Sequence, residues 1–169
     1  MMDAKDWIER LQLRPHPEGG FFRESYRSAE TISREHLPAR FAGDRAFSTA
    51  IFFLLEGDDF SALHRIKQDE VWHFYDGGPL TVVSIAPDGM LCSVNLGRDA
   101  AAGEVLQAIV PAGYVFGARP SDPRTFSLVG CTVAPGFDFA DFEIPSRQEL
   151  IGRFPQHAEV IEELTRAIS

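Results

Sequence analysis

The chain has 169 residues, with 16 basic against 25 acidic side chains, a formal net charge of −9 and only two cysteines. That balance, with the basic residues scattered, argues against nucleic acid and against general attraction to an anionic membrane. No apolar run reaches the ~18 residues of a membrane span, the charged start MMDAKDWIERL does not read as a signal peptide, and two cysteines make no disulfide framework. A cytoplasmic protein with Cys92 and Cys131 as reduced core or half-buried thiols is expected.

One domain over 1–169 is expected, since a chain of this size removes roughly 70% of its unfolded surface on folding. In 3–12, Trp7, Ile8 and Leu11 recur at helical spacing, Asp3 is placed to cap, and Pro15 stops the pattern, which predicts a short helix over one end of the fold. From Phe21 to Pro135 the chain is a series of short runs rich in Val, Ile, Phe and Thr, punctuated by Gly, Pro and Asp. Strands are predicted at 21–27, 47–55, 60–66, 70–75, 79–86, 90–96, 104–110, 114–118 and 125–134, a spacing that belongs to an all-β sandwich or closed barrel. The stretch 29–46 carries no strand signal and reads as a long connection. Ser146 and Glu149 form a capping-box pattern, and Pro155 opens a further helix over 156–167 with Val160, Ile161 and Leu164 on one face.

The segment Gly57–Gly77, GDDFSALHRIKQDEVWHFYDG, resembles the first motif of the cupin barrels, with His64, Glu70 and Gly77 in register. Ile66 stands where that motif has its second histidine. Pro111-Ala112-Gly113 resembles the second motif, with Phe116 in place of its ligand. The strings PHPEGGFFRESYRS (15–28), DEVWHFYDGGPL (69–80), VPAGYVFGA (110–118) and LVGCTVAPGFDFADFE (128–143) are similar to those of the DUF985, or cupin type 5, family. This resemblance implies an RmlC-like double-stranded β-helix, a jelly roll, and a homodimer. Apolar residues on both faces of 51–55 and 71–75 also call for a two-fold interface.

On a strand, side chains alternate faces, so Glu70 shares a face with Trp72 and Phe74 while His73 points the other way with Tyr75. His64 and Glu70 facing into the barrel would meet among apolar and aromatic walls, the outline of a small-molecule site. Ile66 and Phe116 cannot donate to a metal, which leaves too few ligands for an ion, so no metal and no cofactor is expected. The expected function is binding of a small polar, sugar-like molecule, with metal-independent isomerisation or epimerisation in which His64 is the base and Glu70 orients it or serves as acid. A ligand-binding protein without turnover and a metal-dependent cupin with an unusual ligand set are the alternatives. Trp72, Phe74 and Phe116 are the expected ligand-binding walls. RmlC-like epimerases pair a His base with a Tyr acid, which makes Tyr114 and Tyr26 candidates. Glu24 and Tyr26 share one face of their strand and Arg23 and Arg27 the other, and parity alone does not say which looks inward. Phe137, Phe139 and Phe142 read as packing residues with Asp138 and Asp141 left in solvent.

Overall fold

A computed structural model describes residues 2–166. Helix α1 (Ala4–Leu11) is followed by strands β1 (Arg14–Pro15), β2 (Phe21–Arg27), β3 (Thr31–Ile32), β4 (Arg45–Ala46), β5 (Thr49–Glu56) and β6 (Ser61–Arg65). Strands β7 (Asp69–Gly77), β8 (Leu80–Ile85), β9 (Leu91–Leu96), β10 (Gln107–Val110), β11 (Val115–Pro120) and β12 (Phe126–Ala134) complete the β framework, and helices α2 (Arg147–Arg153) and α3 (Ala158–Glu163) close the chain. The larger sheet has the order β1-β2-β5-β12-β7-β10 and the smaller β6-β11-β8-β9, every paired strand being antiparallel.

The two sheets enclose one core. Phe53, Leu55, Trp72, Phe74, Val129 and Cys131 from the larger sheet pack with Leu80, Val82, Leu96, Phe116 and Ala118 from the smaller. Alternation along β7 sends Glu70, Trp72 and Phe74 inward and leaves Val71, His73 and Tyr75 outside, as its period of two requires. Every fully buried side chain of this size contributes about 1.5–3 kcal/mol relative to its exposed state, so the interior aromatics hold the sheets together.

The outer faces are covered by the helices. Asp3 and Asp6 form a capping box that starts α1, and Ala4, Trp7, Ile8 and Leu11 lie on Leu54 and Leu128 of the larger sheet. The Trp7 indole N–H donates to Asp76 Oδ2 at 3.0 Å. The helix thus lies on a sheet face, and the expected position over one end is corrected: Leu54 and Leu128 point away from the interior and need a cover. Ser146 and Glu149 cap α2 as their spacing predicted. Leu150, Phe154, Ile161 and Leu164 cover Leu63, Val83, Ile85 and Val115 on the smaller sheet. The predicted second helix is α3 preceded by a 3₁₀ turn at 155–157, and residue 167 of that expectation lies outside the described residues.

Three further expectations change. The connection 29–46 holds the short pair β3–β4 and is anchored by buried Leu37 and Phe41. Cys92 is exposed on β9, and only Cys131 is a core thiol. Asp141 is 1% exposed; Arg45 donates to its two carboxyl oxygens at 2.7 and 2.6 Å, and Gln68 Nε2 donates at 2.7 Å. The sequence shows the Phe-rich run but not this fork of Arg45, which lies 96 residues away in the chain. Among the described residues no helix is long and apolar enough to cross a membrane.

Candidate functional site

The site begins at a tight turn. Between β1 and β2 the residues His16-Pro17-Glu18-Gly19-Gly20 fold back on themselves, with Gly19 N–H donating to His16 O at 3.0 Å and His16 N–H to Gly20 O at 2.9 Å. Gly19 and Gly20 have φ of 110° and 74°, a region that side chains disfavour. A Cβ at Gly19 would run into the Phe60 carbonyl oxygen, and one at Gly20 would lie 2.7 Å from the Leu54 carbonyl oxygen. Two glycines are therefore what lets this turn press onto the neighbouring strands. Asp59 accepts from Gly20 N–H at 2.8 Å, and Glu18 O accepts from Ala62 N–H at 2.8 Å, which fastens the turn to β6.

That docking places Glu18 at His64. His64 Nδ1 is 3.0 Å from Glu18 Oε2 and 2.7 Å from the Ala62 carbonyl oxygen. A carbonyl cannot donate, so Nδ1 carries the proton and Nε2 is the ring nitrogen left for a ligand. Phe116, directly opposite His64 in the β6–β11 pair, supports the imidazole with ring centroids 4.1 Å apart. His16 lies 3.7 Å from the other Glu18 oxygen and is held edge-on by Phe22 at 4.5 Å. The group that orients His64 is thus Glu18. Glu70, expected in that role, lines the same cavity beside the buried Cys131 thiol instead.

The titration of these groups follows from burial and pairing. Burial alone would lower His64, but the charge and hydrogen bond of Glu18 outweigh it and raise the imidazole above its ordinary 6.5. Burial pushes Glu18 up, and the attraction of His64 overcomes that and leaves it low. Glu70 has no full partner: burial raises it to about 7, against the opposing pull of His64. Burial lowers His16 and raises the Cys131 thiol well above its normal range.

His16, Glu18, His64 and Glu70 line one cavity of about 280 Å³, with Ile66, Thr49 and Ile51 on its walls and Phe22, Phe137, Phe139 and Phe142 supplying aromatic surface. Its edge carries Glu24, Arg27 and Asp138. The choice of faces on β2 that alternation left open is decided by a bulge: the register with β5 shifts between Glu24 and Tyr26. One extra residue reverses the alternation, so Phe22, Glu24 and Arg27 all line the cavity while Tyr26 is 54% exposed. Arg27 forks onto both oxygens of Glu24 at 2.9 and 2.8 Å and donates to Phe137 O at 3.1 Å.

Sequence reasoning thus brings His64 and Glu70 to one cavity, and the other five candidates elsewhere. Trp72, Phe74 and Phe116 belong to the core beneath it, and Tyr114 packs half-buried against that core. None of these, nor Tyr26, is among the cavity-lining residues. The lining aromatics are instead Phe22 and the 137–142 segment. His16 and Glu18 escaped the sequence reading; the available signal was a carboxylate followed by two glycines inside PHPEGG, since paired glycines mark a turn forced close to another backbone. His73 lies on the outer face as alternation requires, bonded to Thr132 Oγ1 at 3.0 Å and Gln107 Nε2 at 2.9 Å.

Many cupins hold a metal at this place, and the residues here do not fit one. Ile66 and Phe116 offer no donor atoms, and His64 Nδ1 is committed to Glu18 and Ala62. Among the described residues no three His, Cys, Asp or Glu groups gather as a metal-holding set.

Comparison with known proteins shows the family and the fold. Protein SO0799 of Shewanella oneidensis is 42% identical, with a TM-score of 0.89 over 99% of this chain and 100% of that one. A hypothetical protein of Leishmania major is 36% identical, also with a TM-score of 0.89, over 98% and 100% of the two chains. The uncharacterized protein YML079W of Saccharomyces cerevisiae is 33% identical over 144 residues, covering 80% of this chain and 70% of its own. Oxalate decarboxylase of Bacillus subtilis, 15% identical, superposes with a TM-score of 0.55 over 89% of this chain and 36% of that one, a likeness of fold alone. The profile of the cupin superfamily (DUF985) matches residues 5–145, and the chain belongs to that family, with the jelly-roll fold its two sheets describe.

Proposed function

We propose that the protein binds a small polar, sugar-like molecule in the His64 cavity and isomerises or epimerises it by metal-independent proton transfer. The observation that carries this reading is the pairing of His64 with Glu18 beside a second, unpaired buried carboxyl, Glu70, on the same cavity. Two buried ionisable groups are costly unless paired or used, and only one of these is paired. With His64 raised above its ordinary 6.5 and Glu70 at about 7, the imidazole holds its proton more firmly than a free one and Glu70 sits at its midpoint near neutral pH. Glu70 is then suited to take a proton from a substrate carbon and His64 to supply one, the reverse of the roles assigned from sequence. The aromatic walls suit a sugar face, and Glu24, Arg27 and Thr49 suit its hydroxyls.

Incubation of the protein with a panel of aldoses, ketoses and their phosphates in D2O, followed by proton NMR, tests the reading. Deuterium entering a C–H position, and lost in Glu70→Gln, is the expected result. A sugar that binds with no exchange at any carbon would leave a ligand-binding protein without turnover. We also propose a homodimer through the β10 edge, where Leu106 and Ile109 are 62% and 67% exposed beside Tyr75 at 45%. An exposed apolar edge strand invites pairing with a second copy. A monomer mass of 18.8 kDa by light scattering at micromolar concentration would refute it.

A further inference from the structure

Ile66 also lines a second recess, of about 500 Å³, that bears four cationic side chains, Arg40, Arg65, Lys67 and Arg153, against the two carboxylates of Asp141 and Glu143. In a chain of net charge −9 that is an uneven concentration. Arg65 is neutralised by Glu143. Arg40 and Arg153 are not, and Lys67 is so only in part. Lys67 lies 3.8 Å from Asp141, whose oxygens are already held by Arg45. Arg40 donates through Nε to the Lys67 carbonyl at 2.8 Å and stands over the Phe41 ring at 4.9 Å. Arg153 stands over Phe154 at 5.0 Å, with the Pro87 carbonyl 3.4 Å from one guanidinium nitrogen. Neither arginine has a carboxylate at ion-pair distance among the described residues. Rings and carbonyls fix where these guanidinium groups stand without cancelling their charge, which is the arrangement of a preformed anion site. The floor is open as well, because Gly113 faces the recess with no atom within 4 Å of where a Cβ would lie.

We infer that this recess binds the phosphate groups of a small metabolite, with Arg40, Lys67 and Arg153 supplying the charge. Two unpaired guanidinium groups beside a partly paired ammonium suit a diphosphate better than a single carboxylate, and guanidinium forks match phosphate oxygens in pairs. A nucleic-acid backbone would have to run from the recess onto a surface of opposite preference, since the rest of the chain is acidic. The inference is independent of the chemistry proposed for the His64 cavity.

Titration calorimetry of the full chain with inorganic pyrophosphate tests it. One equivalent should bind, more weakly as salt is raised, and the Arg40→Gln, Arg153→Gln double variant should bind at least tenfold more weakly with an unchanged urea midpoint. Lys67→Met should weaken binding as well, and Glu70→Gln should leave it as it is. Absence of pyrophosphate binding at millimolar concentration, or equal binding by the double variant, would overturn the assignment. Tighter binding of a single-stranded oligonucleotide than of pyrophosphate would overturn it in favour of a nucleic-acid surface.

Discussion

Replacing Glu70 by Gln separates a working carboxyl from a structural one. The carboxyl ionises at about 7 in the folded protein against an ordinary 4.5, so between those values the folded state keeps a proton that the unfolded chain has released. Stability then falls as pH rises through that window, because the unfolded state binds fewer protons. The raised pKa contributes its stabilisation fully below pH 4.5, and the loss is complete once pH passes 7. The shift corresponds to about 3 kcal/mol at 1.36 kcal/mol per pH unit. Glutamine keeps the volume but cannot ionise. Glu70→Gln should therefore gain ~3 kcal/mol on the parent protein between pH 4.5 and 8, which for a chain of this size is about 6–12 °C in melting temperature. His64 adds its own loss of stability at higher pH, and because its charge acts on Glu70 the difference between the two proteins reads the coupled pair. Urea titrations of both at pH 4.5, 6, 7 and 8, compared at constant m-value, measure it. A difference that does not vary with pH, or a variant less stable than the parent at pH 8, would refute the view that Glu70 is held without a full partner. Stability gained together with deuterium exchange lost is the signature of a carboxyl kept for chemistry.

Glu18→Gln removes the partner of a buried imidazole and should cost about 3–5 kcal/mol at pH 6, read by urea denaturation; it should also lower the pH at which His64 titrates by NMR. Gly19→Ala meets both a positive φ and the Phe60 carbonyl, so a loss of more than ~1–3 kcal/mol is expected, and a stability equal to the parent would show that the turn does not have to sit against β6. Asp141→Asn leaves Arg45 buried without its carboxylate and should cost about 3–5 kcal/mol, measurable as a lowered urea midpoint. Protein prepared without added metal should keep its melting temperature in chelator, and a stoichiometric transition metal released by acid would contradict the donor set described for His64.

The strand series, the Asp3 cap, the Ser146–Glu149 capping box and the placing of His64 and Glu70 on one cavity were legible in the sequence, because each rests on short-range physics. Alternation of period two sorts Glu70, Trp72 and Phe74 from His73 and Tyr75, and Ser146 with Glu149 writes a helix start within four residues. Whatever depended on segments distant in the chain was not legible. Glu18 reaches His64 only because a Gly-Gly turn docks on β6, Asp141 is buried only because Arg45 arrives from the other side of the fold, and α1 covers the larger sheet because Leu54 and Leu128 face outward there. The bulge in β2 shows the limit most plainly: a single residue out of register exchanged Tyr26 for Arg27 at the cavity. Local spacing names the groups able to do chemistry, and tertiary contact decides which of them meet, because pairing a buried charge and closing a cavity are free energies of non-local neighbours.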